Sequence, residues 1–205
     1  MSDGVYVVTG ATSGIGAAVA AALTARGARV VGVSRTGAVA LDLSAPDAPE
    51  RLAAALAPLG PMRGFVHCAG TDELAPLGFV TAEQAARLYA LHVVFPMRFL
   101  GWLGKRANHA DGAAAVLVSS TAADEPVPGN AAYAAAKAAV RALAQTADAE
   151  LAPRGLRVRC VTFGPVDTPM ARGSWMAALP AEARAAAEAR LMSPAAAAEQ
   201  ILSQL

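Results

Sequence analysis

A short apolar run that breaks at glycine and passes directly into an alanine-rich helix limits most strongly what this chain can become. Val5-Tyr6-Val7-Val8-Thr9 reads as a buried strand, Gly10-Ala11-Thr12-Ser13-Gly14-Ile15-Gly16 as a tight turn, and the residues up to Arg26 as a helix. A strand that feeds a helix through so short a turn is half of a βαβ unit. The same alternation recurs downstream. Apolar runs at 29–33, 38–41, 64–68, 114–118 and 157–161 read as strands, and helical stretches at about 14–26, 47–57, 82–107 and 131–152 alternate with them. The expected fold class is α/β: a Rossmann-like, doubly wound parallel sheet of about six strands in three α/β/α layers, with 1–205 as a single domain.

In such a sheet the binding crevice lies at the carboxyl ends of the strands, and the residues with chemistry to offer stand just past those ends. Gly10 permits the tight turn, and Gly14 and Gly16 let backbone approach a pyrophosphate at the helix N-terminus; Thr12, Ser13 and Ile15 complete that loop. Glycine-rich turns also end strands for purely structural reasons. Position strengthens the dinucleotide reading, because the loop follows a strand, opens a helix and precedes Ser120, Tyr133 and Lys137. Tyr133 and Lys137 lie four apart in an alanine-rich run, so on a helix they leave one face a turn apart. An ammonium beside a phenol favours phenolate and lowers the proton-transfer cost of a group whose free pKa is about 10. Ser120, from a separate loop, could grip the oxygen that gains or loses the proton. The three suit carbonyl/alcohol interconversion with hydride from the dinucleotide. Taken singly, Tyr133 could be a helix-surface aromatic, Lys137 a solvated charge and Ser120 a capping hydroxyl.

Thr-Gly-x-x-x-Gly-x-Gly at 9–16, His-Cys-Ala-Gly at 67–70, Ser-Ser at 119–120, Tyr-x-x-x-Lys at 133–137 and Gly-Pro-Val-Asp-Thr-Pro-Met at 164–170 resemble the short-chain dehydrogenase/reductase family. The motifs follow the family's order over nearly the whole chain. The interval from Ser120 to Tyr133 matches its spacing and selects Ser120 over Ser119. The resemblance implies a general acid/base in Tyr133, a phenolate-stabilising and ribose-holding Lys137, and a carbonyl-polarising Ser120. It places Asp42 and Leu43 at the adenine, Ala69 with Gly70 at its ribose, and Val166 and Thr168 at the nicotinamide carboxamide. Asp42 could equally cap the helix beginning near Pro46. His92 stands where the family commonly has an asparagine that kinks the helix and holds a water in the proton relay. It could substitute there, since imidazole both donates and accepts, or be a packed core histidine with Pro96 making the kink. His67 also replaces a family asparagine, and a structural role is expected.

The second strand ends in Val33-Ser34-Arg35-Thr36. An acidic residue there would bond the ribose 2′-hydroxyl and repel a 2′-phosphate, so neutral Ser34 followed by cationic Arg35 favours NADP(H) over NAD(H). Arg35 could also be an ordinary solvated loop arginine. Only six residues separate Arg35 from Asp42, too few for a crossover helix, so a turn at Thr36-Gly37 and a short third strand are expected. The run 194–205 reads as a helix where the family usually adds a strand. The substrate wall is expected from 72–78, 124–129 and the segment after Thr168, with Met170, Trp175, Met176 and Leu179 either an apolar lid or simple packing.

A net charge of +1 without a basic patch argues against nucleic acid or anionic membrane as partner. Cys68 and Cys160 fall in strand-like runs and read as buried free thiols. No residue cluster suggests a metal. The start of the chain runs straight into the first strand, and no apolar run suits a bilayer span, so a cytoplasmic enzyme is expected. The resemblance adds a homodimer pairing the helices at 82–107 and 131–152. The function expected is NADP(H)-dependent ketone/secondary-alcohol interconversion; the alternative is a dinucleotide-binding sensor or structural subunit with little turnover.

Overall fold

Successive side chains of the first strand, β1 (Val5–Thr9), point into two different cores, and that division organises the molecule. Val5 and Val7 pack on one face of the sheet, Tyr6 and Val8 on the other, as the two-residue period of a strand buried on both sides requires. A computed structural model describes residues 4–125 and 127–205. β1 lies in a parallel sheet with β2 (Arg29–Ser34), β3 (Val39–Ala40), β4 (Met62–His67), β5 (His109–Ser120) and β6 (Leu156–Phe163), in the order β3-β2-β1-β4-β5-β6. The order reverses direction between β1 and β4, the switch point where open α/β sheets bind ligands.

Helices cover both faces. On the first lie α2 (Ala48–Leu56), the continuous stretch of α3 (Ala82–Tyr89), a π-helical turn (Ala90–Val94) and α4 (Phe95–Leu103), and then α5 (Ala131–Leu151). Phe65, Phe95 and Phe99 form the aromatic centre of this core, with Phe65 and Phe99 centroids 4.7 Å apart. On the second face lie α1 (Gly14–Ala25) and α8 (Pro194–Leu202), and Leu23 and Ile201 meet Val8, Val66 and Val116. Short helices α6 (Pro169–Gly173) and α7 (Ala181–Glu188) fill the segment between β6 and α8. Ser193 starts α8 by accepting the Ala196 N–H, and the expected helix at 194–205 is thus present.

The missing crossover helix between β2 and β3 is replaced by a fold-back turn. Ser34 Oγ accepts the Thr36 N–H at 3.3 Å, and a Cβ at Gly37 would stand 2.6 Å from that oxygen, so the turn closes only around a residue without a side chain. β3 accordingly pairs through two residues. The largest departure from sequence expectation lies in 82–107, where the helix is not regular. A π turn inserts at Ala90–Val94, just ahead of Pro96, which sits where a proline's missing N–H is tolerated at the start of α4.

Because α8 supplies much of the second core, removing its anchor should be felt globally. Ile201→Ala leaves a cavity against α1 and the sheet, and urea denaturation should show a loss of about 2–5 kcal/mol; a loss within a few tenths would show that α8 does not hold that face.

Candidate active site

The carboxyl ends of β1, β4, β5 and β6 surround a cavity of about 420 Å³. One end is the glycine loop. Gly10 and Gly14 adopt positive φ of 69° and 53°, and a Cβ at Gly16 would lie 2.3 Å from the Gly10 carbonyl oxygen, so the first turn of α1 is drawn tightly onto the loop. The first turn of α1 carries no acidic residue and the Ser13 side chain does not cap it, leaving its N–H groups free for an anion. The other end holds Ser120, Tyr133 and Lys137, with His92, Ala69, Gly70, Val166 and Thr168 between.

Lys137 is held from behind. Its side chain is 6% exposed and Nζ donates to the Val118 carbonyl at 2.9 Å, while Ser119 Oγ donates to the Lys137 carbonyl at the same distance. Ser119 is thereby committed to joining β5 and α5. Ser120, the next residue, lines the cavity; its Oγ accepts the Ala122 N–H at 3.2 Å, and its hydroxyl faces the Tyr133 phenol. Burial lowers the Lys137 pKa to about 8. Tyr133 moves the other way. Burial raises it to about 12, the Ser120 hydroxyl opposes that, and the Asp72 carboxylate adds to it. Burial thus keeps the phenol protonated in the ligand-free protein, with Lys137 Nζ 5.5 Å from its ring centroid.

His67 and His92 have separate environments. His67 Nε2 donates to Leu91 carbonyl oxygen in the π turn at 3.1 Å, and Nδ1 pairs with Thr9 Oγ1 at 2.9 Å, which in turn accepts the Ala69 N–H. This chain fixes the Nε2–H tautomer, and burial holds the ring neutral with a pKa of about 3. The expected structural role of His67 is thus visible as a tie between β1, β4 and the π turn. His92 is 1% exposed, and its ring meets that of Tyr133 edge-on at 5.6 Å. Its Nε2 lies 2.8 Å from the Thr71 carbonyl oxygen and 3.3 Å from the Thr71 nitrogen; the shorter contact is to an atom that only accepts, which assigns the hydrogen to Nε2. Nδ1 is left as a buried acceptor with no partner. Burial, then the charge of Lys137, keeps His92 well below the usual imidazole range. Gly70 is required alongside, since a Cβ there would lie 2.6 Å from His92 Cε1.

Five residues expected at the cofactor do not line this cavity: Thr12, Ser34, Arg35, Asp42 and Leu43. Thr12 and Arg35 are exposed, and Ser34 holds the β2–β3 turn. Asp42 makes its own turn, accepting from both the N–H and the hydroxyl of Ser44, and α2 begins later, after Asp47; Asp42 does not cap it. Leu43 is buried in the core. Of the lid residues, Met170 and Trp175 line the cavity, whereas Met176 is buried beneath and Leu179 lies off it. The lid is tied across the cavity by a hydrogen bond from Ser174 Oγ to Asp72 Oδ2. Asn130 was not anticipated: it lines the cavity, its Oδ1 is buried without a partner, and it precedes α5 without capping it. Its place three residues before Tyr133 was the available signal. Cys68 and Cys160 are free, and burial raises the Cys68 thiol to about 12. Among the described residues there is no metal-binding cluster, and no helix long and apolar enough to cross a membrane.

A family model described as short chain dehydrogenase matches residues 4–177. The chain belongs to the short-chain dehydrogenase/reductase family. It is an oxidoreductase of the kind acting on CH–OH and C=O groups, in a family that binds NAD(P). The human dehydrogenase/reductase SDR family member 2, mitochondrial, is 34% identical over 188 residues, 82% of this chain and 67% of that protein. D-erythrulose reductase of Gallus gallus is 34% identical over 185 residues, covering 82% and 74%. Among solved structures, the 3-alpha-hydroxysteroid dehydrogenase of Pseudomonas sp. B-0831 complexed with NADH superposes with a TM-score of 0.79 at 27% identity, over 97% of this chain and 88% of that one.

The buried ammonium has a thermodynamic signature. With its folded pKa lowered to about 8, Lys137 binds its proton less tightly in the folded chain than in the unfolded one. Between about pH 8 and the ordinary lysine range the unfolded state holds more protons, so this group makes stability rise with pH; below that window both states are protonated and the penalty is present in full. Urea denaturation of the ligand-free protein should therefore show a gain from about pH 8 to about pH 10 that Lys137→Met lacks. Parallel pH profiles for the two proteins would contradict it.

Proposed function

We propose that this enzyme interconverts a ketone and a secondary alcohol with NADP(H), Tyr133 acting as general acid and base. The observation that carries the reading is that the phenol of Tyr133 and the hydroxyl of Ser120 share one cavity with the glycine loop. The loop suits a dinucleotide: it is closed by residues without side chains and ends at helix N–H groups that nothing in α1 neutralises. Bound there, the nicotinamide supplies hydride to the carbonyl carbon in reduction and accepts it in oxidation.

The chain's own residues manage the oxygen. Ser120 donates a hydrogen bond to the carbonyl oxygen and orients it. Tyr133, protonated throughout the neutral range, gives its proton as the oxygen becomes alkoxide, a contribution of about 10²–10⁴-fold. Lys137, still an ammonium at neutral pH, steadies the phenolate until a solvent proton restores it. With the dinucleotide bound, Lys137 and Tyr133 would hold the nicotinamide ribose, Ala69 and Gly70 the adenosine ribose, and Val166 and Thr168 the carboxamide. His92 serves as a hydrogen-bond acceptor beside Tyr133, since its one hydrogen is taken by Thr71.

The preference for NADP(H) rests on Arg35. It is exposed at the end of β2 and, among the described residues, makes no ion pair within 4.0 Å, which leaves it available to a 2′-phosphate. Exposed Asp42, in the turn after β3, would stand on the adenine side, whereas Leu43 is buried in the core. Against the reading as a sensor with little turnover stands the complete set of Ser120, Tyr133 and Lys137. We also place a twofold homodimer contact on α3–α4 and α5, supported by exposed Tyr89, Val94 and Met97 along the first of these; light scattering at twice the chain mass would agree with it.

NADPH oxidation across a panel of ketones, with Tyr133→Phe as control, tests the assignment. Turnover by the parent and a loss of about 10²–10⁴-fold in kcat for the variant, with cofactor binding retained, is expected. Cofactor binding without turnover on any ketone or alcohol would favour the sensor. Separately, Arg35→Ala should raise KM for NADPH by about 10-fold or more while leaving NADH little changed; equal effects on both would remove the basis for NADP(H).

A further inference from the structure

Two buried side-chain polar atoms among the described residues lack a partner, His92 Nδ1 and Asn130 Oδ1, and both belong to residues lining the cavity that holds Tyr133. Buried polar groups are paired in nearly all proteins, so two bare ones in one cavity ask for a ligand that satisfies them. Both atoms are acceptors. His92 Nδ1 is the unprotonated nitrogen of a ring whose hydrogen points at the Thr71 carbonyl, and Asn130 Oδ1 is a carbonyl oxygen that does not cap its own helix. Both stand close to the reacting phenol: the His92 ring lies edge-on to Tyr133, and Asn130 stands three residues before it, immediately ahead of α5. The Asp72 carboxylate, held by Ser174, adds a third acceptor on the wall. The remaining wall combines apolar Leu74 and Trp175 with Glu125, a second carboxylate.

We infer that the substrate is a neutral hydroxylated ketone, carrying a hydroxyl beside the carbonyl that donates to the acceptors close to Tyr133. This rests on the oxidoreductase reading of the same site. A hydroxyl suits the two neutral acceptors beside Tyr133, because it donates without bringing a charge that must be desolvated. A carboxylate or phosphate beside the carbonyl would bring acceptors against acceptors and a negative charge against Asp72. The apolar part of the wall takes an alkyl remainder. Reduction then yields a vicinal diol: hydride goes to the carbonyl carbon, the Tyr133 proton to its oxygen, and the neighbouring hydroxyl is unchanged.

Matched compounds on the full chain test this. With NADPH, 3-hydroxyhexan-2-one, hexan-2-one and 2-oxohexanoate are compared as substrates; with NADP⁺, hexane-2,3-diol, hexan-2-ol and hexanoate are compared as ligands by thermal shift. A site built to pair a substrate hydroxyl rejects analogues that lack it. The expected result is kcat/KM about tenfold or more higher for the hydroxyketone than for hexan-2-one, lower still for the oxoacid, and the largest thermal shift from the diol. Asn130→Leu should cut the hydroxyketone-to-ketone ratio by about tenfold, and Asn130→Asp, which keeps an acceptor there, should retain most of it. A ratio of one or less, or a preference for 2-oxohexanoate, overturns the inference. Turnover of ketones without the hydroxyl preference sinks it while leaving the oxidoreductase reading intact. A larger shift with the diol but no turnover of any ketone would overturn both the oxidoreductase reading and the assignment of a ketone substrate, leaving only a pocket that binds hydroxyl donors.

Discussion

The buried ammonium of Lys137 is the interaction on which the rest of the structure depends. A lysine removed from water needs its charge answered, and here the Val118 carbonyl at the end of β5 answers it. In return Ser119 donates to the Lys137 main-chain carbonyl. The two bonds run in opposite directions between β5 and α5, so they fix both the separation and the rotation of the helix against the strand. That rotation decides where Tyr133 emerges, one turn earlier on the same helix, and places it opposite Ser120 at the tip of the same strand. Stability is given up to hold this arrangement, which is why Lys137 and Tyr133 both titrate away from their ordinary values.

A second polar chain sets the opposite wall. The Ala69 N–H, Thr9, His67 and the Leu91 carbonyl are joined in sequence, from the ends of β1 and β4 into the π turn. A π turn leaves helix carbonyls without regular partners, and His67 supplies one. The turn in turn carries His92 to the Tyr133 ring, over a surface left bare by Gly70. A histidine at 67 and another at 92 thus form one structural unit, in which the first shapes the backbone that aims the second. Each wall of the cavity is therefore set by polar groups buried next to it.

Much of this was legible in the chain. The apolar runs gave all six strands, and the glycine loop and the Tyr133/Lys137 interval located the two ends of the cavity, because backbone close approach and helical period leave direct marks in sequence. The length of β5 was underestimated: His-Ala-Asp-Gly-Ala at 109–113 lacks an apolar run, and His109 at the strand start is buried through hydrogen bonds to the Leu103 and Arg154 carbonyls. A kink near His92 and Pro96 was expected, but its π form was not, since the bond from His67 to the Leu91 carbonyl joins residues far apart in the chain. Asp42 was read as a possible helix cap because short-range patterns do not tell a side chain that serves its own turn from one that serves the next helix. Asn130 was overlooked for a similar reason, its residue type being ordinary at a helix start; only its failure to cap marks it.

The convergence of the Ser120 and Tyr133 hydroxyls on one oxygen atom is tested most directly by a crystal structure of the ternary complex, with NADP⁺ and an alcohol bound. The expected density has the alcohol oxygen within hydrogen-bond reach of both hydroxyls, and the nicotinamide ring packed beside the carbinol carbon, between Val166 and Tyr133. An alcohol that binds elsewhere, or a nicotinamide ring on the far side of the glycine loop from Tyr133, would contradict the site.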